Sequence, residues 1–353
     1  MPGDGCLGLH VTGSAMSSPT STRSASRSAT RWRLAASLLL VALSGLVVLV
    51  AAARRIVVAP TAMPARTTVA PVASASVAPS ATTTATETRW GKVDAGAEIE
   101  ASCHVPDQGA GPYGDWQALP IGRMVVPEPP PEDVYDVLLH FHGGEAVRRL
   151  VAPAGLKLVI VTVDAGVGSS AYGQAYQGPE PLEEGLATID AALAPARLRY
   201  LILSSWSAGY GAVRELLRAH PTVPNAVVLL DSVHASYQPD GEHLVTEGLA
   251  PFLSLAQRAV AGEAVVVLTH SEIRPPNYAS TAEVASYLLA EIGGRRRYAG
   301  LMPAHGLEAK TTYDQGAFHL RGFTGTGKKA HCAHLKMLPD ILRDDVLPEL
   351  PRP

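Results

Sequence analysis

The chain is poor in cysteine, in bulky aromatics and in excess charge. Among 353 residues there are three cysteines, four phenylalanines and four tryptophans. Lysine plus arginine (29) nearly balances aspartate plus glutamate (32), a formal charge of -3. So even a balance removes the electrostatic case for a nucleic-acid partner. No segment recurs at a fixed period, which excludes an arrayed architecture. Three cysteines allow one internal pair at most, so the fold must rest on an apolar core, and the chain is long enough to build one.

Apolar residues are abundant at 47% but unevenly spread. One uncharged block, LAASLLLVALSGLVVLVAAA, runs from Leu34 to Ala53. As a helix it would measure about 30 Å, the thickness of a bilayer's hydrocarbon core. It exceeds the usual core of a signal peptide, although Ala51 to Ala53 would suit a cleavage site. We expect a transmembrane signal anchor over 34–53. Arg23, Arg27, Arg31 and Arg33 precede the block while Arg54, Arg55 and Arg66 follow it, which favours a cytoplasmic N-terminus. Residues 1–33 then read as a disordered cytoplasmic tail. Residues 54–89, rich in Ala, Pro, Thr and Ser, read as an extended linker. Residues 90–353 form the globular part, outside the cytoplasmic membrane and tethered to it, or secreted if the segment is cleaved.

In the globular part, β-branched apolar runs alternate with helical spacing. VYDVLLHFH (134–142), LKLVIVTV (156–163), LRYLILSS (198–205), NAVVLLD (225–231) and EAVVVLTH (263–270) are continuous, as in strands buried on both faces. Between them 181–194, 208–220 and 246–262 carry helical periodicity. The alternation predicts an α/β fold, a doubly wound and mostly parallel sheet. Ligands of such sheets sit beyond the carboxyl ends of the strands. Those ends carry His142-Gly143-Gly144, Asp164, Ser207, Asp231 and Ser271-Glu272, and near the C-terminus His331 and His334 open a helix.

Serine, then an acid, then histidine is the chain order of an acyl-transfer triad. A serine hydroxyl attacks only when an imidazole can take its proton, and the imidazole needs a carboxylate to fix its tautomer. The stretch Ser205-Trp206-Ser207-Ala208-Gly209 resembles the G-x-S-x-G nucleophile elbow of the α/β-hydrolase superfamily, with Ser205 in place of the first glycine. HFHGGE (140–145) resembles that family's His-Gly-Gly oxyanion loop. The resemblance spans about Val134 to Leu347 and implies a serine hydrolase acting on an ester or amide, without a cofactor. It assigns Ser207 as nucleophile, His331 as base with His334 as alternate, and Asp231 as the acid with Glu272 as alternate. It assigns the oxyanion donors to the amide of Ala208 with that of Gly144 or Glu145, each such donor contributing about 3–4 kcal/mol. Gly211 is expected to hold the following helix close to the sheet. Loops 164–178 and 271–281 are the expected pocket walls.

Other readings compete. Ser207 would serve equally as a helix N-cap, His142-Gly143-Gly144 as a tight turn, and the whole domain as a non-catalytic binding module. GFTGTGKK (322–329) matches a phosphate loop but has Lys329 where magnesium needs Ser or Thr. His140 and His142, with His331, His334 and Asp231, suggest a zinc site that has no third ligand at a recognisable spacing. Export would leave Cys103 and Cys332 as the cysteines of an oxidising compartment, able to pair if the fold brings them close.

Overall fold

Five apolar runs predicted as strands lie side by side in the middle of one ten-stranded sheet. The computed structural model describes residues 103–351. The predicted tail, apolar segment and linker, and the first residues of the globular part, lie outside them. Among the described residues no helix is long and apolar enough to cross a membrane.

In chain order the strands are β1 (Gln117–Leu119), β2 (Gly122–Val125), β3 (Val134–Phe141), β4 (Val159–Val163), β5 (Arg197–Trp206), β6 (Ala226–Leu230), β7 (Val265–His270), β8 (Arg297–Ala304), β9 (Leu307–Gln315) and β10 (Phe318–Phe323). They are ordered β1-β2-β4-β3-β5-β6-β7-β10-β9-β8 across the sheet. β4, β3, β5, β6, β7 and β10 are mutually parallel. Antiparallel pieces close both edges, β1 and β2 on one side and β9 and β8 on the other. β4, β6 and β7 are buried along their whole length, because helices cover both faces of the sheet.

The helices are α1 (Gly144–Val151), α2 (Ser169–Ala175), α3 (Glu180–Leu193), α4 (Tyr210–Ala219), α5 (Ala250–Val260), α6 (Thr281–Glu291), α7 (Lys328–Lys336) and α8 (Leu338–Ile341). α2 to α6 bury Tyr172, Leu182, Leu216, Phe252 and Val284 in one core. On the opposite face α1, α7 and α8 bury Val147, Leu335 and Leu338 in a second core. Each such fully buried side chain stabilises the fold by roughly 1.5–3 kcal/mol relative to exposure. The architecture is the predicted one, with additions. The sheet edges, α1, α2, α6 and α8 are not among the elements expected from sequence, and α5 is shorter than 246–262.

The parallel register aligns the strand exits. Phe141 pairs with both Val163 and Ser205, Trp206 with Leu230 and Leu230 with Thr269, and His270 with Gly322. Every chemically interesting strand end therefore emerges along one rim. Cys103 and Cys332 form a disulfide with Cα atoms 5.3 Å apart, which ties the start of the described chain to α7.

Candidate active site

Three residues on this rim leave their strands through the left-handed region of backbone space: His142 (φ 80°), Ser207 (φ 51°) and Asp231 (φ 41°). Side chains other than glycine pay of order 1–3 kcal/mol there, and such outliers persist only where the surroundings enforce them.

For Ser207 the enforcement is visible. A Cβ on Gly209 would collide with the carbonyl of Phe141, so the turn after Ser207 sits directly on the end of β3. Ser205, the residue that departs from the elbow pattern, pairs its hydroxyl with that of Ser232 at 2.9 Å. The Ser232 hydroxyl donates to the Ser207 carbonyl at 3.0 Å. The larger residue is tolerated because its hydroxyl has a buried partner. A short 3₁₀ turn, Ser207–Gly209, leads into α4, so the Ala208 amide is a first-turn donor without a helical acceptor. Gly211 differs from expectation: its missing Cβ makes room for the Ser169 carbonyl of α2, not for the sheet.

Asp231 and His331, 100 residues apart, meet at the rim with Nδ1 donating to Oδ2 at 2.7 Å. The Ser271 amide donates to Asp231 Oδ1 at 2.9 Å, and the Ser271 hydroxyl to Oδ2 at 2.9 Å. Burial pushes the Asp231 pKa up, but the His331 hydrogen bond, the fields of His334 and His331, and the Ser271 amide outweigh it. The carboxyl is held well below the usual carboxylate range. With Nδ1–H committed to Asp231, the His331 Nε2 carries the lone pair. Trp206 also holds His331. Its indole N–H donates to the His331 carbonyl at 3.0 Å, and its ring packs against those of His331 and His142, with centroids 4.7 and 5.3 Å away.

The alternates are placed elsewhere. Glu272 accepts from Lys310 at 2.6 Å and from the Gly325 amide. His334 is fully buried beneath the rim, its Nδ1 paired with Thr269 Oγ1 at 2.7 Å. Burial pushes it down to about 4, so its ring is neutral.

The glycine loop corrects the sequence expectation for Gly144. The amides of Gly143 (2.7 Å) and Gly144 (3.2 Å) both turn to the carboxylate of Asp164. Asp164 is nearly buried, and a buried carboxylate must gather donors. A Cβ on Gly144 would lie 2.8 Å from Asp164 Oδ2, so glycine serves that approach and the Gly144 amide is not free to hold an oxyanion. The Glu145 amide remains in the first turn of α1, while its side chain is held by Trp116, Arg148 and Arg149. His140 is also committed. Its ring nitrogens pair with Ser204 Oγ at 3.0 Å and with the His142 carbonyl at 2.8 Å, which pins the His142 turn and leaves no nitrogen for a metal.

Ser207 lines two neighbouring spaces. Ser207, Asp231 and His331 line a recess of about 260 Å³ with Ile273, Pro275 and Tyr278. Ser207 and Ala208 also border a cleft of about 590 Å³ walled by Val167 to Ser170, Arg214 and Leu249. His234 and Tyr278 are common to both. Both predicted loops therefore contribute walls. The sequence placed Asp164 and Ser271 at strand ends and Trp206 in the elbow without giving them a role, and it passed over Ser232 and His234.

No family model and no curated protein matches the chain. Among solved structures it is similar to a carboxylesterase from Bacillus subtilis, at 10% identity and TM-score 0.39 over 72% of this chain and 96% of that one. A thermostable esterase from Pseudomonas putida is 13% identical at TM-score 0.41, over 73% and 89%. An S-formylglutathione hydrolase from Staphylococcus aureus is 14% identical at TM-score 0.36, over 62% and 88%. The mixed, mostly parallel sheet with its helices fits the α/β-hydrolase superfamily that the motifs resemble. At such identities the chemistry of this chain rests on its own side chains.

Proposed function

We propose that the protein is a serine hydrolase that cleaves an ester or amide bond through an acyl-enzyme. The observation that carries this is the Asp231–His331 hydrogen bond at 2.7 Å, formed beside a strained Ser207 that shares one recess with both residues. Ser207 Oγ attacks the carbonyl carbon and its proton passes to His331 Nε2. Asp231 stabilises the imidazolium without taking the proton. His331 then protonates the leaving group, and water repeats the sequence in reverse to release the acid. The Ala208 amide holds the oxyanion, with the Glu145 amide as the second donor in place of Gly144.

The test is labelling of the full chain by a fluorophosphonate probe, with Ser207→Ala alongside. Labelling of the wild type alone supports the proposal. Equal labelling of both proteins removes Ser207, and labelling of neither favours a non-catalytic binding module.

We further propose that residues 34–53 anchor the chain and that the hydrolase lies outside the cytoplasmic membrane. The uncharged 20-residue block supports this, as does a disulfide of the kind that persists in oxidising compartments. A reporter active only after export, fused after Val69, should be active; activity of a cytoplasm-only reporter at that site would overturn the topology.

A further inference from the structure

Across the wall made by Ile273 and Pro275 lies a second recess of about 620 Å³, which the proposed reaction does not use. Its floor is Arg296. The guanidinium donates from Nη1 to Ser286 Oγ (2.7 Å) and from Nη2 to the Ala282 carbonyl (3.1 Å) and His270 Nε2 (3.4 Å). All three acceptors are neutral. His270 completes the pattern by donating Nδ1–H to the Ser271 carbonyl at 3.0 Å. Nε of Arg296 is buried and has no partner among the described residues.

Neither nearby acid neutralises this charge. Glu272 is bound by Lys310 at 2.6 Å. Glu283 caps α6, accepting from the Ser280 amide at 2.9 Å, and takes the Tyr237 hydroxyl at 2.8 Å. Arg274 also faces the recess, so three cations stand against two carboxylates and one positive charge is left over. A half-buried guanidinium without a counter-ion is costly, and with both Nη2 hydrogens spent on neutral acceptors it keeps an Nη1–H and its full charge to offer an anionic oxygen.

We propose that this recess is an anion site, taking a carboxylate- or phosphate-type group onto Arg296 with Arg274 at its mouth. The group has two conceivable sources. It is either the acidic end of a substrate whose scissile bond lies at Ser207, a case that rests on the hydrolase reading, or a separate small anion.

Calorimetric titration of the full chain with inorganic phosphate at low ionic strength tests the site independently of any activity. The wild type should bind saturably and Arg296→Gln at least about tenfold more weakly. Equal affinity of the two proteins, or no saturable binding to the wild type, overturns the site. If Arg296→Gln does not fold, Arg274→Gln carries the test, since its side chain is exposed. Its phosphate affinity must fall several-fold, and unchanged affinity overturns the proposal. Kinetics then separate the sources. A selective loss of kcat/KM toward a nitrophenyl ester ending in a carboxylate, with a neutral ester unaffected, identifies a substrate arm. Weakened phosphate binding with both esters equally affected identifies a separate anion.

Discussion

The hydroxyl of Ser232 donates to the carbonyl of Ser207 at 3.0 Å, so the residue after the proposed acid holds the backbone of the proposed nucleophile. One strand exit thus sets the position of the next. Ser232→Ala removes this bond and the partner of the Ser205 hydroxyl. A buried hydrogen bond contributes about 1 kcal/mol, and misplacing a nucleophile slows the chemical step more than binding. We expect kcat toward a nitrophenyl ester to fall about tenfold or more with KM little changed. A variant whose loss lies wholly in KM would show that Ser232 shapes the pocket and not the elbow.

The acid assignment has a sharp contrast within the molecule. Asp231 meets His331, whereas Glu272 is occupied by Lys310 on the far side of Ser271. Asp231→Asn should lower kcat about 10⁴-fold, because the amide favours the wrong imidazole tautomer. Glu272→Gln should leave turnover within about twofold. Steady-state kinetics on both variants decides between them, and the opposite ranking moves the acid to the end of β7.

The parallel centre of the sheet was legible because its strands are continuous apolar runs, such as Val159 to Val163 and Val265 to His270. Those runs sit buried under helices on both faces, so their composition announces them. The C-terminal ribbon was not legible. β8, from Arg297 to Ala304, is mostly exposed and carries Gly300 and Pro303, which read as turn material. At the site, Ser207, Asp231 and His331 stood out because each lies at a strand end or helix start in the order the chemistry needs. Gly144 was misread as an oxyanion donor since its true partner, Asp164, arrives from 20 residues downstream. Trp206 was legible only as a member of the elbow, because its bond to the His331 carbonyl spans 125 residues.

Stability should fall as the medium is acidified, ahead of any carboxylate titration. Burial holds His140, His142, His270 and His334 down to about 4 from the ordinary 6.5. Between those values the unfolded chain binds protons that the folded chain refuses. The contribution of these rings is complete above about pH 6.5 and is lost as pH falls toward 4. Each proton so taken up steepens the dependence by about 1.4 kcal/mol per pH unit. Urea midpoints of the full chain at pH 7.5, 6 and 4.5 should decrease in that order, most steeply over the last interval. A flat profile across this window would mean that the buried rings charge without cost. His334→Gln, which keeps a polar group beside Thr269, should make the decline shallower.

The Cys103–Cys332 bridge spans 229 residues with Cα atoms 5.3 Å apart. Closing so long a loop stabilises a fold by roughly 4–5 kcal/mol in the chain-entropy account. Cys332 follows His331 directly, and both lie in the first turns of α7, whose carbonyl at His331 is held by Trp206. Two independent restraints therefore fix the proposed base, one covalent and one through the indole. Reduction, or Cys332→Ser, should lower the midpoint of thermal unfolding by several degrees or more. Activity well below that midpoint should drop only modestly, since the Trp206 bond persists. A double variant, Cys332→Ser with Trp206→Phe, should lose far more activity than the two single effects combined predict, because it frees the His331 backbone from both restraints. Strict additivity in that cycle would show that the bridge serves stability alone.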